Sequence, residues 1–585
     1  MTQSLQQSRH NWFLAVVYLS IIVIIARLFY WQIIRGQELS NLTENQALRS
    51  KEQQGLRGKI YTSDGYLLVG NQEVYELKLD RKNFTGDQEQ LIDQLTPIIA
   101  AENWQYQDAS TSAEQAEVTA AIKSTLEAKF TSQANWPQLA SQLNTSSKEQ
   151  IEALNNPYLA FDSSFSRFYP EASMAAHITG FVGKNETGED VGRYGVEGAL
   201  EDELKAKSQR GLFHTDALGN LLAGENYRLN NLDGRDLTLT VRRDIQYLAQ
   251  QSLIQGIEQY QADRGEIIIL DSQTGKILAW ANWPNYQQWQ YFKYAGDILK
   301  NPGLTRLYEP GSTFKVITVA AAIDAGLIKP DTVCTNCAGP RQIAGYTIRT
   351  WNNEYHPNIT MTEALEKSDN VAMIFVSDLL GKDLFSQYLE KFGIGQDLEL
   401  ELQDDSTTYL PSKIGPVELA TISFGQGIST NSLQLLRAIN TVAHHGVMLE
   451  PTILESVYDQ QSQETIVTPI KEKQQVISTE SAQLVTQMMI AAASHGEAQW
   501  TASTRYTVAA KTGTSQVPDP QGGYKEDETI ASFIGFAPAS NPQFTMLVKL
   551  ENPHSSPWAA ETAAPLWYKV ADKLMLLLNI PPDLP

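Results

Sequence analysis

A serine and a lysine three residues apart have the types and spacing best suited to nucleophilic catalysis in this sequence. Ser312 and Lys315 lie in the stretch 308–315, and an apolar run follows them. Pro310 and Gly311 interrupt the preceding chain, so we expect a buried helix with Ser312 at or near its first turn. A spacing of three then places both side chains on one face of that helix.

A serine hydroxyl attacks a carbonyl carbon efficiently only when a neighbouring base takes its proton. A lysine amine is such a base only in its neutral form. Lowering a lysine pKa from its reference value near 10.4 to about 7 costs roughly 4 to 5 kcal/mol. Burial beside a second cation supplies such a shift. Because Ser-x-x-Lys also occurs in many helices by chance, its assignment depends on further residues.

Two further stretches supply those residues. Ser368 and Asn370 lie two positions apart, where the pattern predicts a turn into an apolar helix. Residues 505–515 alternate between polar and apolar side chains as in a strand, and the stretch ends in Lys511, a glycine and hydroxyls. Gly513 would let a substrate backbone approach closely, as at an open sheet edge. Ser-x-x-Lys, Ser-x-Asn and Lys-Thr-Gly in this order are the motifs of serine β-lactamases and penicillin-binding proteins.

An apolar segment near the start of the chain predicts a membrane anchor. Residues 12–34 are long enough to span a bilayer and include fourteen Leu, Ile, Val and Phe. Arg27 opposes insertion by about 2.5 to 3.5 kcal/mol, but the apolar residues contribute roughly −0.3 to −0.6 kcal/mol each. Since no Ala-x-Ala cleavage site follows, we expect an uncleaved anchor.

Composition restricts the classes of partner and cofactor. The chain has 585 residues, a formal charge of −22 and a pI near 4.9, which argues against nucleic acid as a partner. Two cysteines, Cys334 and Cys337, are too few for a zinc site, and no histidine spacing completes one. In an extracytoplasmic domain a local disulfide is favoured over free thiols. We expect no metal and no cofactor.

The chain divides near residue 236. Before it, strands flank a turn at 64–65, and residues 86–156 predict a helical insert in a mixed α/β module. After it come a strand at 236–242, an amphipathic helix from 244, and a hairpin over 265–281, with the Ser312 helix directly after. This order predicts a sheet with helices packed on it.

In these residues the chain resembles a class B penicillin-binding protein, a membrane-anchored peptidoglycan D,D-transpeptidase. The resemblance covers most of the chain and is weakest over 86–156. Further family-like stretches are 26–33, 57–60, 64–65, 167–170, 195–198, 424–428, 433–434 and 531–538. Family members often have Asp-Arg-Asn-Gly where this chain has Thr-Ser-Asp-Gly at 62–65, a departure in the scaffold rather than the chemistry.

The resemblance implies a role for each motif residue. Ser312 would attack the penultimate D-alanine carbonyl of a donor stem peptide, with Lys315 taking its proton. Ser368 would relay a proton to the leaving group, and Asn370 would hold the acylated peptide backbone. Lys511 would supply positive potential. We expect Lys315 to be neutral before acylation, with the charge of Lys511 as the main cause beyond burial.

The resemblance also implies how the substrate is held. The hydroxyls of Thr512 or Thr514 would bind the terminal carboxylate beside Gly513. The backbone N–H groups of Ser312 and Thr514 would form an oxyanion hole, which contributes about 10² to 10³ in rate per donor.

The implied fold is mixed α/β. It comprises one N-terminal transmembrane helix, an elongated α+β pedestal of the penicillin-binding protein dimerisation type, and a transpeptidase domain with an antiparallel sheet and helices on both faces. We expect a cytoplasmic tail at 1–11, the anchor at 12–34, the pedestal at 35–235 and the transpeptidase domain at 236–585. The protein would cross the cytoplasmic membrane once, with the catalytic domain extracytoplasmic.

The resemblance further implies partners and leaves alternatives. Expected partners are stem peptides on lipid-linked nascent glycan, inhibitory β-lactams, a SEDS-type glycosyltransferase, and other membrane proteins of the divisome or elongasome. Residues 424–428 and the overall length favour a septal role over an elongation role. The anchor and pedestal disfavour a soluble β-lactamase, and the eleven residues before the span disfavour a β-lactam receptor. A non-catalytic scaffold that retains the fold remains an alternative.

Overall fold

The computed structural model describes residues 2–38, 48–107, 111–214, 232–403, 408, 410–411, 413–519 and 521–584. The chain divides into two compact units, which are described separately. One unit comprises Met1–Leu56 with Ala206–Gly234, and the other comprises Arg57–Lys205 with Arg235–Pro585.

The elements are numbered along the chain. The strands are β1 (Leu48–Gln54), β2 (Ile60–Tyr61), β3 (Leu67–Leu79), β4 (Gln138–Leu143), β5 (Leu159–Phe168), β6 (Phe181–Lys184), β7 (Asp190–Arg193), β8 (Ser208–His214), β9 (Asp236–Leu239), β10 (Arg264–Asp271), β11 (Ile277–Trp283), β12 (Arg341–Ile343), β13 (Tyr346–Ile348), β14 (Val447–Leu449), β15 (Leu454–Asp459), β16 (Glu464–Val467), β17 (Glu472–Gln475), β18 (Ala509–Pro518), β19 (Tyr524–Ala537) and β20 (Phe544–Glu551). The helices are α1 (Thr2–Phe29), α2 (Gln88–Gln107), α3 (Ser112–Phe130), α4 (Thr145–Glu152), α5 (Ala176–Thr179), α6 (Gly195–Ala199), α7 (Glu201–Leu204), α8 (Arg243–Tyr260), α9 (Gly296–Leu299), α10 (Pro302–Thr305), α11 (Lys315–Asp324), α12 (Met361–Glu366), α13 (Asn370–Lys391), α14 (Pro416–Ile422), α15 (Ser432–Ala443), α16 (Thr479–His495) and α17 (Ala563–Leu577). A π-helical turn (Tyr30–Ile34) and three 3₁₀ turns (Gln288–Lys293, Gly311–Phe314 and Gln499–Thr501) complete the set.

The first unit contains the predicted anchor. The segment Asn11–Ile34 is helical, exposed along its length, and has a mean hydropathy of 2.4. Among the described residues it is the one helix long and apolar enough to cross a membrane. The same unit contains β1 paired antiparallel with β8.

In the second unit, a seven-stranded sheet combines pedestal strands with strands from the rest of the chain. Its order is β16-β15-β9-β2-β3-β4, with β5 also paired to β3. β9 lies between β2, to which it is parallel, and β15, to which it is antiparallel. The sequence correctly predicts a strand on each side of the turn at 64–65, but β3 is thirteen residues long rather than short.

The insert at 86–156 contains a strand in addition to the helices predicted from its spacing. Its helices α2 and α3 do pack through the expected apolar face, including Leu91, Ile92 and Leu95, each at most 2% exposed. Between α3 and α4, however, β4 joins the sheet beside β3. The helical period hides this strand because its buried residues, Leu139 and Leu143, are few and separated by three positions that are not buried. Residues 108–110 of the insert lie outside the described residues.

A five-stranded antiparallel sheet forms the centre of the transpeptidase region, in the order β11-β10-β20-β19-β18. The side chains of β10 alternate between its two faces. Ile267 and Ile269 belong to the core formed with α8 and α17. Ile268 and Leu270 belong to the core that contains α11 and α13. The predicted antiparallel sheet with helices on both faces is therefore correct, but short helical turns, rather than a direct connection, separate β11 from the Ser312 segment.

Three family-like stretches of the pedestal meet in one ion cluster. Glu197 is fully buried. Its carboxylate lies 2.5 Å from Arg57 Nη2 and 2.7 Å from Arg167 Nη2. Arg57 also pairs with Glu201 at 2.6 Å, and Arg167 Nη2 donates to the backbone oxygen of Gly58. The cluster joins the start of β2 to the end of β5 and to α6.

Glu197→Gln should destabilise the protein strongly, because it leaves two largely buried guanidinium groups without their shared counter-charge. We expect a loss of about 3 to 5 kcal/mol in the free energy of unfolding, measured by urea denaturation. Asp162→Asn is the matched control, since Asp162 pairs with Lys78 at an exposed site. The control should change the free energy by less than about 1 kcal/mol. Equal effects of the two substitutions would contradict a structural role for the cluster.

Candidate active site

Ser312 lies in the 3₁₀ turn Gly311–Phe314, which leads directly into α11. Gly311 has a φ of +56°, a conformation that favours glycine. Its N–H donates to the backbone oxygen of Gly425 at 3.0 Å. A Cβ on Gly425 would approach the backbone oxygen of Gly311 to 2.2 Å, so this close contact requires a glycine at 425. Ser312 itself is half-buried.

Lys315 begins α11 and is completely buried. Its Nζ lies 2.6 Å from the backbone oxygen of Ser368, 3.1 Å from Ser368 Oγ and 2.8 Å from Asn370 Oδ1. Asn370 is oriented in turn, because its Nδ2 donates to the backbone oxygen of Arg349. The structure therefore brings the first two motifs together around the lysine amine.

Ser368 occupies a strained turn between α12 and α13. Its φ is +53°, which is unusual for a residue with a side chain. The adjacent Asp369 caps α13 by accepting from the backbone N–H of Ala372. The turn directs the Ser368 hydroxyl between two amines, with Lys315 Nζ and Lys511 Nζ each 3.1 Å from Oγ.

Lys511 lies in β18, the edge strand of the five-stranded sheet. Its Nζ contacts the backbone oxygen of Thr512 at 3.2 Å and Thr512 Oγ1 at 3.0 Å. The hydroxyl of Thr512 donates to Glu497 Oε2 at 2.8 Å. Glu497 is exposed and follows the end of α16. The structure thus adds a carboxylate to the site, on the solvent side of Thr512.

Each of the two lysine amines makes three hydrogen bonds to oxygen. Thr512 gives its proton to Glu497, so its oxygen must accept from Lys511. Lys511 then donates to two Thr512 oxygens and to Ser368 Oγ, which uses the three N–H groups of an ammonium. Lys315 likewise donates to three oxygens, the backbone oxygen of Ser368, Ser368 Oγ and Asn370 Oδ1. The Ser368 hydroxyl oxygen therefore accepts from both amines.

Electrostatics distinguish the two lysines. Burial lowers the pKa of Lys315 well below its usual value, and the charge of Lys511 lowers it further, as the sequence predicts. The carboxylates of Glu497 and Asp369 oppose that shift. Burial also lowers the pKa of Lys511, which Glu497 opposes. Lys315 is therefore the amine prepared to accept a proton.

Gly513 and Thr514 follow Lys511 along β18. A Cβ on Gly513 would lie 2.7 Å from Thr313 Cγ2, so the glycine lets the strand pack against the turn that carries Ser312. A Cβ on Gly311 would lie 3.3 Å from the Thr514 backbone oxygen, which places the two predicted oxyanion-hole segments side by side. Thr514 is half-buried and its Oγ1 accepts from the Ala559 N–H.

Glu309 forms hydrogen bonds that connect three segments near Ser312. Its Oε1 accepts from the Gly427 N–H and its Oε2 from the Tyr524 hydroxyl, both at 2.9 Å. Burial raises its pKa. The family-like stretch 424–428 and the β18–β19 hairpin are thereby attached to the residues preceding Ser312.

Sequence reasoning missed Glu497 and the role of Glu309, because no spacing rule connects either residue to its partners. It also placed Lys511 at the end of a strand, whereas β18 begins at Ala509 and continues past the motif. The strand continues because β19 pairs with it through 524. Cys334 and Cys337 form the predicted disulfide.

Comparison with known proteins agrees with this arrangement. The model of the penicillin binding protein transpeptidase domain matches residues 265–573, which is more than half of the chain. The chain belongs to this family. The penicillin-binding protein dimerisation domain matches residues 52–239. With both domains, the protein is a class B penicillin-binding protein.

Known relatives are similar to this chain over nearly its full length. Stage V sporulation protein D of Bacillus subtilis is 29% identical over 559 residues, covering 93% of this chain and 82% of the relative. Peptidoglycan D,D-transpeptidase FtsI of Buchnera aphidicola is 27% identical over 574 residues, covering 97% and 95%. The crystal structure of penicillin binding protein 2X from Streptococcus thermophilus shares the fold, with a TM-score of 0.72, 22% identity, and coverage of 90% and 80%.

Two substitutions should move the pH dependence of acylation in opposite directions. If Lys315 takes the serine proton, as the sequence predicts, acylation requires its neutral form, and the rate should rise as pH increases through the Lys315 pKa. Lys511→Met removes a neighbouring positive charge, which raises that pKa and moves the rise to higher pH. Glu497→Gln removes a negative charge, which lowers the pKa and moves the rise to lower pH. Stopped-flow acylation by a fluorescent penicillin across pH measures both shifts.

Glu480→Gln is the matched control for Glu497→Gln. Glu480 is an exposed carboxylate in the first turn of α16, at the opposite end of the helix that precedes Glu497. Its substitution should leave the profile in place. Profiles that coincide for wild type, Lys511→Met and Glu497→Gln would refute the proposed coupling.

Proposed function

We propose that this class B penicillin-binding protein is a peptidoglycan D,D-transpeptidase that acts through an acyl-enzyme on Ser312. The observation that carries the proposal is the Ser368 hydroxyl held 3.1 Å from both Lys315 Nζ and Lys511 Nζ. In this proposal Lys315 is the base and Lys511 is the cation, as the lowered pKa of Lys315 supports. The names of relatives such as FtsI support the substrate class.

In the acylation step, Ser312 Oγ bonds to the penultimate D-alanine carbonyl carbon while its proton passes to neutral Lys315. The oxyanion would be held by the backbone N–H groups of Ser312 and Thr514. When the carbon–nitrogen bond breaks, the departing D-alanine nitrogen takes a proton relayed from Lys315 through Ser368. Asn370 is well placed to orient the peptide, because its own side chain is fixed by Lys315 and Arg349.

The second step resolves the ester. The nitrogen of an acceptor amine bonds to the carbonyl carbon, the bond to Ser312 Oγ breaks, and the amine proton returns to Oγ through Lys315. The product is an amide cross-link between two stem peptides. A β-lactam would acylate the same serine, since its ring amide mimics the donor peptide bond.

The two threonines proposed for carboxylate binding differ in whether the hydroxyl already donates a hydrogen bond. The Thr512 hydroxyl already donates to Glu497, and a substrate carboxylate there would meet that negative charge. Thr514 is half-buried, and its hydroxyl proton is free to be given to a ligand while Oγ1 accepts from Ala559. We therefore favour Thr514, beside Gly513 and the positive potential of Lys511, for the terminal carboxylate.

The apolar helix supports a single-pass membrane anchor. We propose that it lies in the cytoplasmic membrane with the catalytic domain extracytoplasmic, on the side where peptidoglycan is cross-linked. The domain limits 1–11, 12–34, 35–235 and 236–585 are part of the proposal. Nascent glycan would come from a SEDS-type glycosyltransferase reached through the anchor and pedestal, among other divisome or elongasome proteins. A septal role is proposed over elongation, on the basis of the stretch 424–428 and the overall length.

Ser312→Ala should abolish covalent labelling by a fluorescent penicillin, because the ester oxygen is lost. Ser368→Ala should still be labelled, about 10²- to 10⁴-fold more slowly, because only the proton relay is removed. Denaturing gel electrophoresis of the full-length protein measures both. Labelled Ser312→Ala protein would exclude Ser312 as the nucleophile, and a wild type that is never labelled would favour a non-catalytic scaffold.

A fluorescent protein fused to the N-terminus tests the septal role. We expect the fusion to concentrate at midcell during division, as contacts with septal membrane proteins require. The Ser312→Ala fusion is the control and should show the same distribution, since those contacts do not depend on catalysis. Signal spread along the side wall would instead assign the protein to elongation.

A further inference from the structure

Two exposed tryptophans contact each other beside the catalytic motifs, and no step of the proposed reaction uses them. Trp351 is 49% exposed and Trp558 is 42% exposed. Their ring centroids lie 5.1 Å apart, with 60° between the ring planes. Such a contact is favourable beyond the area it buries, so the two rings hold each other in place at the surface.

The first ring is attached to the Ser-x-Asn side of the candidate site. Asn370, which accepts from Lys315, donates to the backbone oxygen of Arg349, two residues before Trp351. The turn that carries the ring is fixed by the Thr350 hydroxyl, which donates to the backbone oxygen of Glu354.

The second ring is attached to the opposite side. The residue after Trp558 is Ala559, whose N–H donates to Thr514 Oγ1 on β18. The Trp558 backbone oxygen accepts from the Thr562 hydroxyl at 2.8 Å, which fixes the turn before α17. A contact between the two rings therefore joins the segment bonded to Asn370 to the segment bonded to Thr514, which are the two walls of the candidate site.

The second step of the proposed reaction is where a contact between the two rings would act. The Ser312 ester is open to two nucleophiles. An amine nitrogen gives the amide cross-link, whereas a water oxygen gives a free carboxylic acid; in both cases the bond to Ser312 Oγ breaks and Oγ regains a proton. Water is far more concentrated than any acceptor peptide, so a transpeptidase must limit its access to the ester.

We propose that Trp351 and Trp558 together form an aromatic cover that shields the Ser312 ester from water and so determines the preference for an amine acceptor. This inference rests on the proposed acyl-enzyme function and deepens it. The bound peptide would lie along β18 beneath the rings, and an acceptor of similar extended form would enter along the same edge. The pair acts as a unit, because either ring alone reaches only one wall.

The test is the lifetime of the acyl-enzyme formed by full-length protein with a fluorescent penicillin. Trp351→Ala and Trp558→Ala should each release the label by hydrolysis about tenfold faster than wild type, while the rate of acylation stays within about twofold. Because the rings act together, the double variant should match either single variant rather than multiply their effects. Trp351→Phe and Trp558→Phe, which keep an aromatic ring, should restore most of the lifetime.

Trp136→Ala is the matched control, because Trp136 is a similarly exposed tryptophan of the pedestal, 52% exposed. It should leave the lifetime unchanged. Unchanged release from the Trp351 and Trp558 variants would overturn the cover, as would multiplicative effects in the double variant. Wild type that never acquires the label would refute the acyl-enzyme function instead, so the two failures are distinguishable.

Discussion

The Ser368 hydroxyl between two buried amines is the contact on which the site depends. Two ammonium groups so close together in a buried position would repel strongly, so one of them must release its proton. Burial and the charge of Lys511 lower the pKa of Lys315 well below its usual value, so Lys315 is that amine. The fold meets this constraint by bringing α11, the strained turn before α13, and the edge strand β18 to one point.

The catalytic motifs were predictable because each is short and its chemistry is local. The spacing of Ser312 and Lys315 places their side chains one helical turn apart. The apolar helical pattern that follows Asn370 predicts the turn at Ser368. The partners of Glu497 and Glu309 were not predictable, since those contacts depend on where α16 ends and how the β18–β19 hairpin returns. Only tertiary packing sets such distances.

The fold follows the same division between local and long-range information. The hairpin β10–β11 and helix α8 were predictable from alternation and amphipathicity. The strand β4 was not, because a helix-rich segment masks a strand with only two buried residues. The family-like stretches around Arg57, Arg167 and Glu197 were recognisable as sequence, yet their shared purpose is seen only in the ion cluster that they form.

The position of β9 has a practical consequence for handling this protein. A fragment that starts at residue 236 would retain β9 but lose β2, its parallel partner. The backbone groups that β2 satisfies would then form an open edge, to which another chain can add. A well-behaved water-soluble version should therefore keep residues 57–205 and omit only the membrane helix.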